Sequence, residues 1–166
     1  MPVSDQGVNL DHFMLIPRVL IFLTRGNNIL LLKGAKDKRL WAGLYNGIGG
    51  HIEQGESIIS AVNRELHEET GLNSQILWLC GIITIDTQTN PGVVIFIYKG
   101  ESTEDNLISS NEGLLEWVEQ SQLMHLPLVG DLPTLLPKII AMKQGDFPFI
   151  ANISYNELGK IAVSLC

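Results

Sequence analysis

The sequence predicts an α+β domain with a mixed sheet. Two helix-forming stretches lie among several runs rich in β-branched and aromatic residues. No linker, internal repeat or low-complexity segment divides the 166 residues, so residues 1–166 read as one domain, long enough to bury a core.

The elements follow in order. Met1 to Asp11 is polar and reads as loose chain. Arg18 to Thr24 reads as a buried strand and Ile29 to Lys33 as a second, joined through Gly26-Asn27-Asn28 into a hairpin. Gly34 to Tyr45, with the adjoining Lys33, is the most basic stretch, holding Lys36, Lys38, Arg39 and Trp41. It is either a solvated loop or a loop near a phosphate. Glycines at 47, 49 and 50 lead into a short extended piece, His51 to Glu53, and a turn at Gln54-Gly55. A helix follows over Ser57 to Thr70, with Ile58, Ile59, Val62 and Leu66 as its core-facing stripe and Gly71 as a left-handed cap. Ser74 to Asp86 and Gly92 to Lys99 are strand-like, parted by a turn over Thr87 to Pro91. After an acidic loop, Glu116 to Glu119 reads as a short strand. Leu132 to Lys143 reads as a helix broken by Pro137. Phe147 to Tyr155 and Ile161 to Leu165 form a final hairpin around Asn156 to Gly159.

Composition narrows the function. Hydrophobic residues at 45% and charged ones at 17% fit a globular protein rather than a disordered one. A net charge of -7 with no Lys/Arg run argues against a nucleic-acid polymer as partner. A small polyanion stays open, provided metal ions bridge it to the protein. Apolar runs such as Val19 to Leu23 fall far short of the ~20 residues of a membrane span, and no leader pattern is visible. Cys80 and Cys166 make no disulfide framework and read as reduced thiols of a cytoplasmic protein.

The stretch that carries chemistry is Gly50 to Leu72. Glu65, Glu68 and Glu69 stand at i, i+3 and i+4, in one narrow strip of the helix, beside its core-facing stripe. Like charges at this spacing repel by about a few tenths of a kcal/mol per pair, so the cluster suits a divalent cation that supplies the missing positive charge. Spelled out, Gly50-x5-Glu56-x7-Arg64-Glu65-Leu66-x-Glu68-Glu69-x-Gly71-Leu72 resembles the Nudix box at every position, over residues 50–72.

The resemblance implies an α/β/α sandwich with a mixed sheet between helices, the box forming a loop–helix–loop. It also implies hydrolysis of a nucleoside diphosphate linked to a further group X, with Mg2+ or Mn2+. Diphosphate hydrolysis needs charge neutralised on the bridging oxygens and an activated water, and carboxylate-bound Mg2+ serves both. By the same resemblance, Glu65, Glu68 and Glu69 ligate metal with the carbonyl of Gly49, and Glu65 is also a candidate base. Arg64 orients the box, with Glu56 its carboxylate partner. Glu112 resembles the distant general base of MutT-type enzymes, with Glu116 next in line. His51 and His67 read as surface residues.

Leu44 to Gly50 resembles the approach to the box in enzymes that cleave oxidised purine triphosphates such as 8-oxo-dGTP. There an aromatic-Asn pair precedes the glycines, which here would be Tyr45 and Asn46, with Asn46 on the base. Asp131 would reach the base from the opposite side, and Trp41, Tyr45 and Trp117 offer stacking surface. Three functions stay open: a nucleoside triphosphate pyrophosphohydrolase; a hydrolase of ADP-ribose, a nucleotide sugar or a dinucleotide polyphosphate; and a binding module that senses a nucleotide without cleaving it. A monomer and a homodimer are both compatible with the chain.

Overall fold

A computed structural model of the chain describes residues 2–9, 11–37, 40–73, 76–104, 106–108 and 110–166, with the side chains of residues 3 and 4 left aside. Among the described residues the strands are β1 (Leu15–Arg25), β2 (Asn28–Gly34), β3 (Tyr45–Asn46), β4 (Leu77–Ile85), β5 (Gly92–Glu101), β6 (Gly113–Glu119), β7 (Phe149–Tyr155) and β8 (Ile161–Leu165). The helices are α1 (Ile58–Thr70) and α2 (Leu132–Ala141). The strands form one mixed sheet in the order β3-β2-β1-β5-β4-β7-β8, with β6 also pairing β2. β1 runs parallel to β5 and β4 parallel to β7; the other pairs are antiparallel.

Alternation along β1 divides the interior in two. Val19, Ile21 and Leu23 pack with Ala61, Val62 and Leu66 of α1, whereas Phe22 packs with Leu135, Leu136 and Ile139 of α2. The result is the α/β/α sandwich with its mixed sheet between helices. Burial on both faces explains why β1 reads as a near-continuous apolar run.

Ser57 caps α1 by accepting the Ser60 N–H at 3.2 Å, and Gly71 ends it at φ 74°, its N–H reaching the His67 carbonyl at 2.8 Å. The packed face differs from the predicted stripe. Ile59, in the first turn, is 48% exposed, while Ala61 and Thr70 are buried. The buried face therefore takes in Glu65 and Glu69, so two of the three box carboxylates lie within the packing surface rather than beside it.

Pro137 does not break α2. The hydrogen bond it forgoes is one to the Pro133 carbonyl in the first turn, and Leu132, Leu135, Leu136 and Ile139 hold the helix to the core. The helix stops at Ala141 rather than Lys143, where the buried Lys99 ammonium donates to the carbonyls of Ile140 (2.6 Å) and Met142 (2.8 Å). Burial holds the Lys99 pKa below its ordinary value. Lys99→Ala is expected to lower the unfolding free energy by about 2–4 kcal/mol, because the helix-end carbonyls lose a buried donor. Denaturant titration reads this; an unchanged midpoint would make the contact energetically idle.

Other boundaries shift by a few residues. β7 begins at Phe149 because Pro148 offers no N–H and Phe147 is 95% exposed. β6 begins at Gly113, paired to Gly34. The predicted start of β4 at Ser74 lies outside the described residues. Short 3-10 turns at Val3–Gln6 and Gln120–His125 carry no periodic signal and were not expected. No helix among the described residues is long and apolar enough to cross a membrane. Cys80 is buried and Cys166 exposed, both free; burial pushes the Cys80 thiol up to about 12.

Candidate active site

The residues before α1 are laid along β1 by backbone pairing. Ile48 exchanges hydrogen bonds with Ile21 (3.0 and 2.6 Å), Val19 N–H donates to the Gly50 carbonyl at 2.9 Å, and Ile52 N–H donates to the Pro17 carbonyl at 3.1 Å. Glycines are needed here for close approach. A Cβ on Gly49 would run into the Val19 carbonyl, and one on Gly50 into the Glu65 carboxylate. The segment is thus wedged between β1 on one side and an acid of α1 on the other.

Arg64 ties the box together. Its Nε and Nη2 grip Glu56 at 2.9 and 3.0 Å, a two-point pairing that fixes both planes. Nη1 donates to Glu65 at 2.8 Å and to Glu68 at 3.2 Å, and Nη2 also donates to the His51 carbonyl at 2.9 Å. These carboxylates, Glu56 first, raise the guanidinium pKa further. The Arg64 bonds in turn hold the Glu56 carboxyl below its ordinary value, helped by the Glu53 N–H. Glu69 accepts the Gly49 N–H at 3.2 Å. Glu65 and Glu69 are buried, whereas Glu68 is exposed.

Glu65, Glu68, Glu69, Gly49 and Gly50 line a cavity of about 730 Å³, a size that suits a nucleotide. Glu112, Asn46, Asp131 and Trp41 line it as well. Asn46 is half-buried, its Oδ1 accepting the Gly47 N–H at 2.8 Å. Asp131 stands half-buried at the head of α2, and burial raises its carboxyl pKa. Glu112 sits in the exposed turn before β6.

Tyr45 does not belong to the cavity. It is 4% exposed within the α2-side core, and its hydroxyl donates to Glu116 at 2.7 Å while Lys33 lies over its ring. On β3 adjacent side chains point to opposite faces, so Asn46 and Tyr45 cannot share one wall. Glu116 is engaged there too, and Trp117 stacks under Arg25. Lys33 is turned to Tyr45 rather than to the cavity; Lys38 and Arg39 of the basic loop lie outside the described residues. His67 is exposed, and His51 is exposed at the cavity rim.

Sequence reading missed Arg18, Ile153, Tyr155 and Ile161, which also line the cavity. Arg18 was legible as a charge at the start of an apolar strand. Its Nε is buried with no hydrogen-bond partner among the described residues.

As placed, no three acidic, histidine or cysteine side chains among the described residues converge as a metal-binding group; the carboxylates face Arg64 and the Gly49 amide. The donors nevertheless suit a hard divalent cation. They are all oxygen, from Glu65, Glu68, Glu69 and the Gly49 carbonyl, and the bare Cα of Gly50 leaves the Glu65 carboxylate room that a side chain would take.

A glycine-wedged carboxylate helix faces a cavity of nucleotide size, and comparison with known proteins identifies the class of protein that carries this arrangement. The NUDIX domain family model matches residues 14–139, and the chain belongs to the Nudix family as one of its hydrolases. It is similar to the oxidized purine nucleoside triphosphate hydrolase of Mus musculus, 28% identical over 133 residues, covering 78% of this chain and 84% of that protein. It is also similar to the uncharacterized Nudix hydrolase YvcI of Bacillus subtilis, 32% identical over 115 residues, covering 66% of this chain and 70% of that one. In fold it resembles the MutT protein from Bacillus halodurans, with a TM-score of 0.76 and 24% identity over 91% of this chain and 97% of that one. Hydrolases of this family generally act on small-molecule nucleotides with divalent metal cations.

Proposed function

We propose that this chain hydrolyses nucleoside triphosphates bearing an oxidised purine, releasing a nucleoside monophosphate and pyrophosphate, with Mg2+ (or Mn2+) as cofactor. The observation that carries the reading is that Asn46 and Asp131 line the same cavity as the box carboxylates. An amide both donates and accepts, and the half-buried Asp131 carboxyl adds an acceptor whose pKa burial raises. Together they suit the mixed donor–acceptor edge of an oxidised purine. The name of the mouse relative points the same way.

In this reading Glu65, Glu68, Glu69 and the Gly49 carbonyl hold the metal. When bound, it neutralises charge on the anhydride oxygens and makes water easier to deprotonate. Arg64 fixes Glu65 and Glu68, with Glu56 fixing Arg64 in turn. Glu65 or Glu112 accepts the proton as water oxygen bonds to phosphorus and the anhydride P–O bond breaks, the electron pair leaving with pyrophosphate. The net charge of -7 favours a small nucleotide over a nucleic-acid polymer, and the free thiols suit a cytoplasmic setting.

Product analysis in Mg2+ with 8-oxo-dGTP, dGTP and ADP-ribose tests the proposal. The expected result is pyrophosphate and monophosphate from 8-oxo-dGTP, at far higher kcat/KM than from dGTP. Cleavage of ADP-ribose alone would move the chain to the second class of substrate. Nucleotide binding by calorimetry without turnover would make it a sensor. Asn46→Ala is expected to narrow the preference for 8-oxo-dGTP over dGTP by about tenfold or more while sparing hydrolysis, because a site built to hydrogen-bond a base edge loses its partner. An unchanged ratio of kcat/KM values would reduce Asn46 to a turn residue.

A further inference from the structure

β7 and β8 lie beyond residue 139, where the family match ends, yet they reach the cavity through Ile153, Tyr155 and Ile161. Ile153 and Tyr155 are two apart on β7 and so share a face, and the register sets Ile161 of β8 opposite Tyr155. Parallel pairing with β4 puts Ile153 opposite Ile85, which is also in the lining. Ile85, Ile153 and Ile95 of β5 all pack on the α2 side of the sheet. The cavity thus has an apolar floor over β5, β4 and β7, bordered by Arg18 of β1 and with a phenol ring in its lining.

The hairpin is also set against the polar reader of the site. A Cβ on Gly130 would meet Ile161 Cδ1 at 2.7 Å, so the tip of Ile161 rests on the bare backbone next to Asp131. Apolar floor, aromatic ring and a carboxyl at the edge match a flat heterocycle with polar edges. The three isoleucines offer a sugar phosphate no hydrogen bond, and Arg18 of β1 stands beside Ile95, at the side of the floor away from the hairpin.

We infer that the β7–β8 hairpin is the base-binding wall of the cavity, with Tyr155 stacking on the base and Ile161 setting its spacing from Gly130 and Asp131. These residues determine specificity and leave the hydrolytic chemistry to the box. The inference rests on the nucleotide reading above.

The test is calorimetric titration of the full chain with 8-oxo-dGMP and with deoxyribose 5-phosphate, which carry the same sugar phosphate with and without a base. The unmodified chain is expected to bind 8-oxo-dGMP about tenfold or more tightly than the base-free compound. Tyr155→Leu should shrink that gap by about 5- to 150-fold, the range for one aromatic–base stack, with the affinity for deoxyribose 5-phosphate unchanged. Tyr155→Phe keeps the ring and should keep the gap. If the unmodified chain shows no gap, the nucleotide reading fails and takes the inference with it. A gap that survives in Tyr155→Leu, or collapses equally in Tyr155→Phe, overturns the stacking role alone.

Discussion

Glu65→Gln is expected to lower kcat by about 10²–10⁴-fold, the range for losing a positioned proton acceptor or metal-bound carboxylate. The substitution keeps the shape of a side chain buried between Arg64 and the Gly50 backbone, and removes its charge. Arg64 retains its two-point grip on Glu56 and its bond to Glu68, so the box should stay folded. Glu69→Gln should behave alike, because the amide oxygen can still accept the Gly49 N–H that the carboxylate accepts now. Steady-state kinetics in saturating Mg2+ with melting curves separates turnover from stability. Unmodified turnover in Glu65→Gln would strip Glu65 of its proposed metal and proton roles, and in Glu69→Gln would strip Glu69 of its proposed metal role.

Gly50→Ala should be nearly as damaging to turnover, with little cost in stability. Its new methyl group would occupy the place of the Glu65 carboxylate, the far end of a flexible side chain that can swing aside. Misplacing a reacting group by about 1 Å can cost on the order of 10²-fold in rate, and that is the expected loss in kcat. Gly49→Ala is the contrasting case. Its methyl group would meet the Val19 backbone carbonyl, which cannot yield without shifting β1, so a stability loss of about 1–3 kcal/mol is expected as well. If Gly50→Ala melts as early as Gly49→Ala, the close approach at Gly50 supports the fold rather than the position of Glu65.

The difference between what sequence reading found and what it missed follows from how local each signal is. The box helix was legible because its determinants are neighbours in the chain: the turn at Gln54-Gly55 before it, Gly71 as its C-cap and Arg64 within reach of Glu56. The Tyr45–Asn46 pair was misjudged because β3 is only two residues long and was not read as a strand. Had it been, alternation alone would have sent the two side chains to opposite faces. Ile153 and Tyr155 are placed by the parallel pairing of β7 with β4, a contact that spans β5, β6 and α2 in the chain, and Ile161 follows from the pairing of β8 with β7. Nothing in their own neighbourhood marks them as cavity residues. Pro137 was overweighted for a similar reason, since packing of Leu132, Leu135, Leu136 and Ile139 outweighs one lost hydrogen bond.

The two cysteines give this protein an internal clock for breathing motions. Only a thiolate alkylates readily, and Cys80 sits fully covered on β4 with its thiol pushed up to about 12, so the native fold shields it twice over. In a Cys166→Ser variant, the rate at which iodoacetamide modifies the chain at neutral pH therefore counts openings of the sheet interior. A ligand that braces the sheet from the cavity side should slow that count, turning an unreactive side chain into a gauge of how tightly the substrate holds the fold closed.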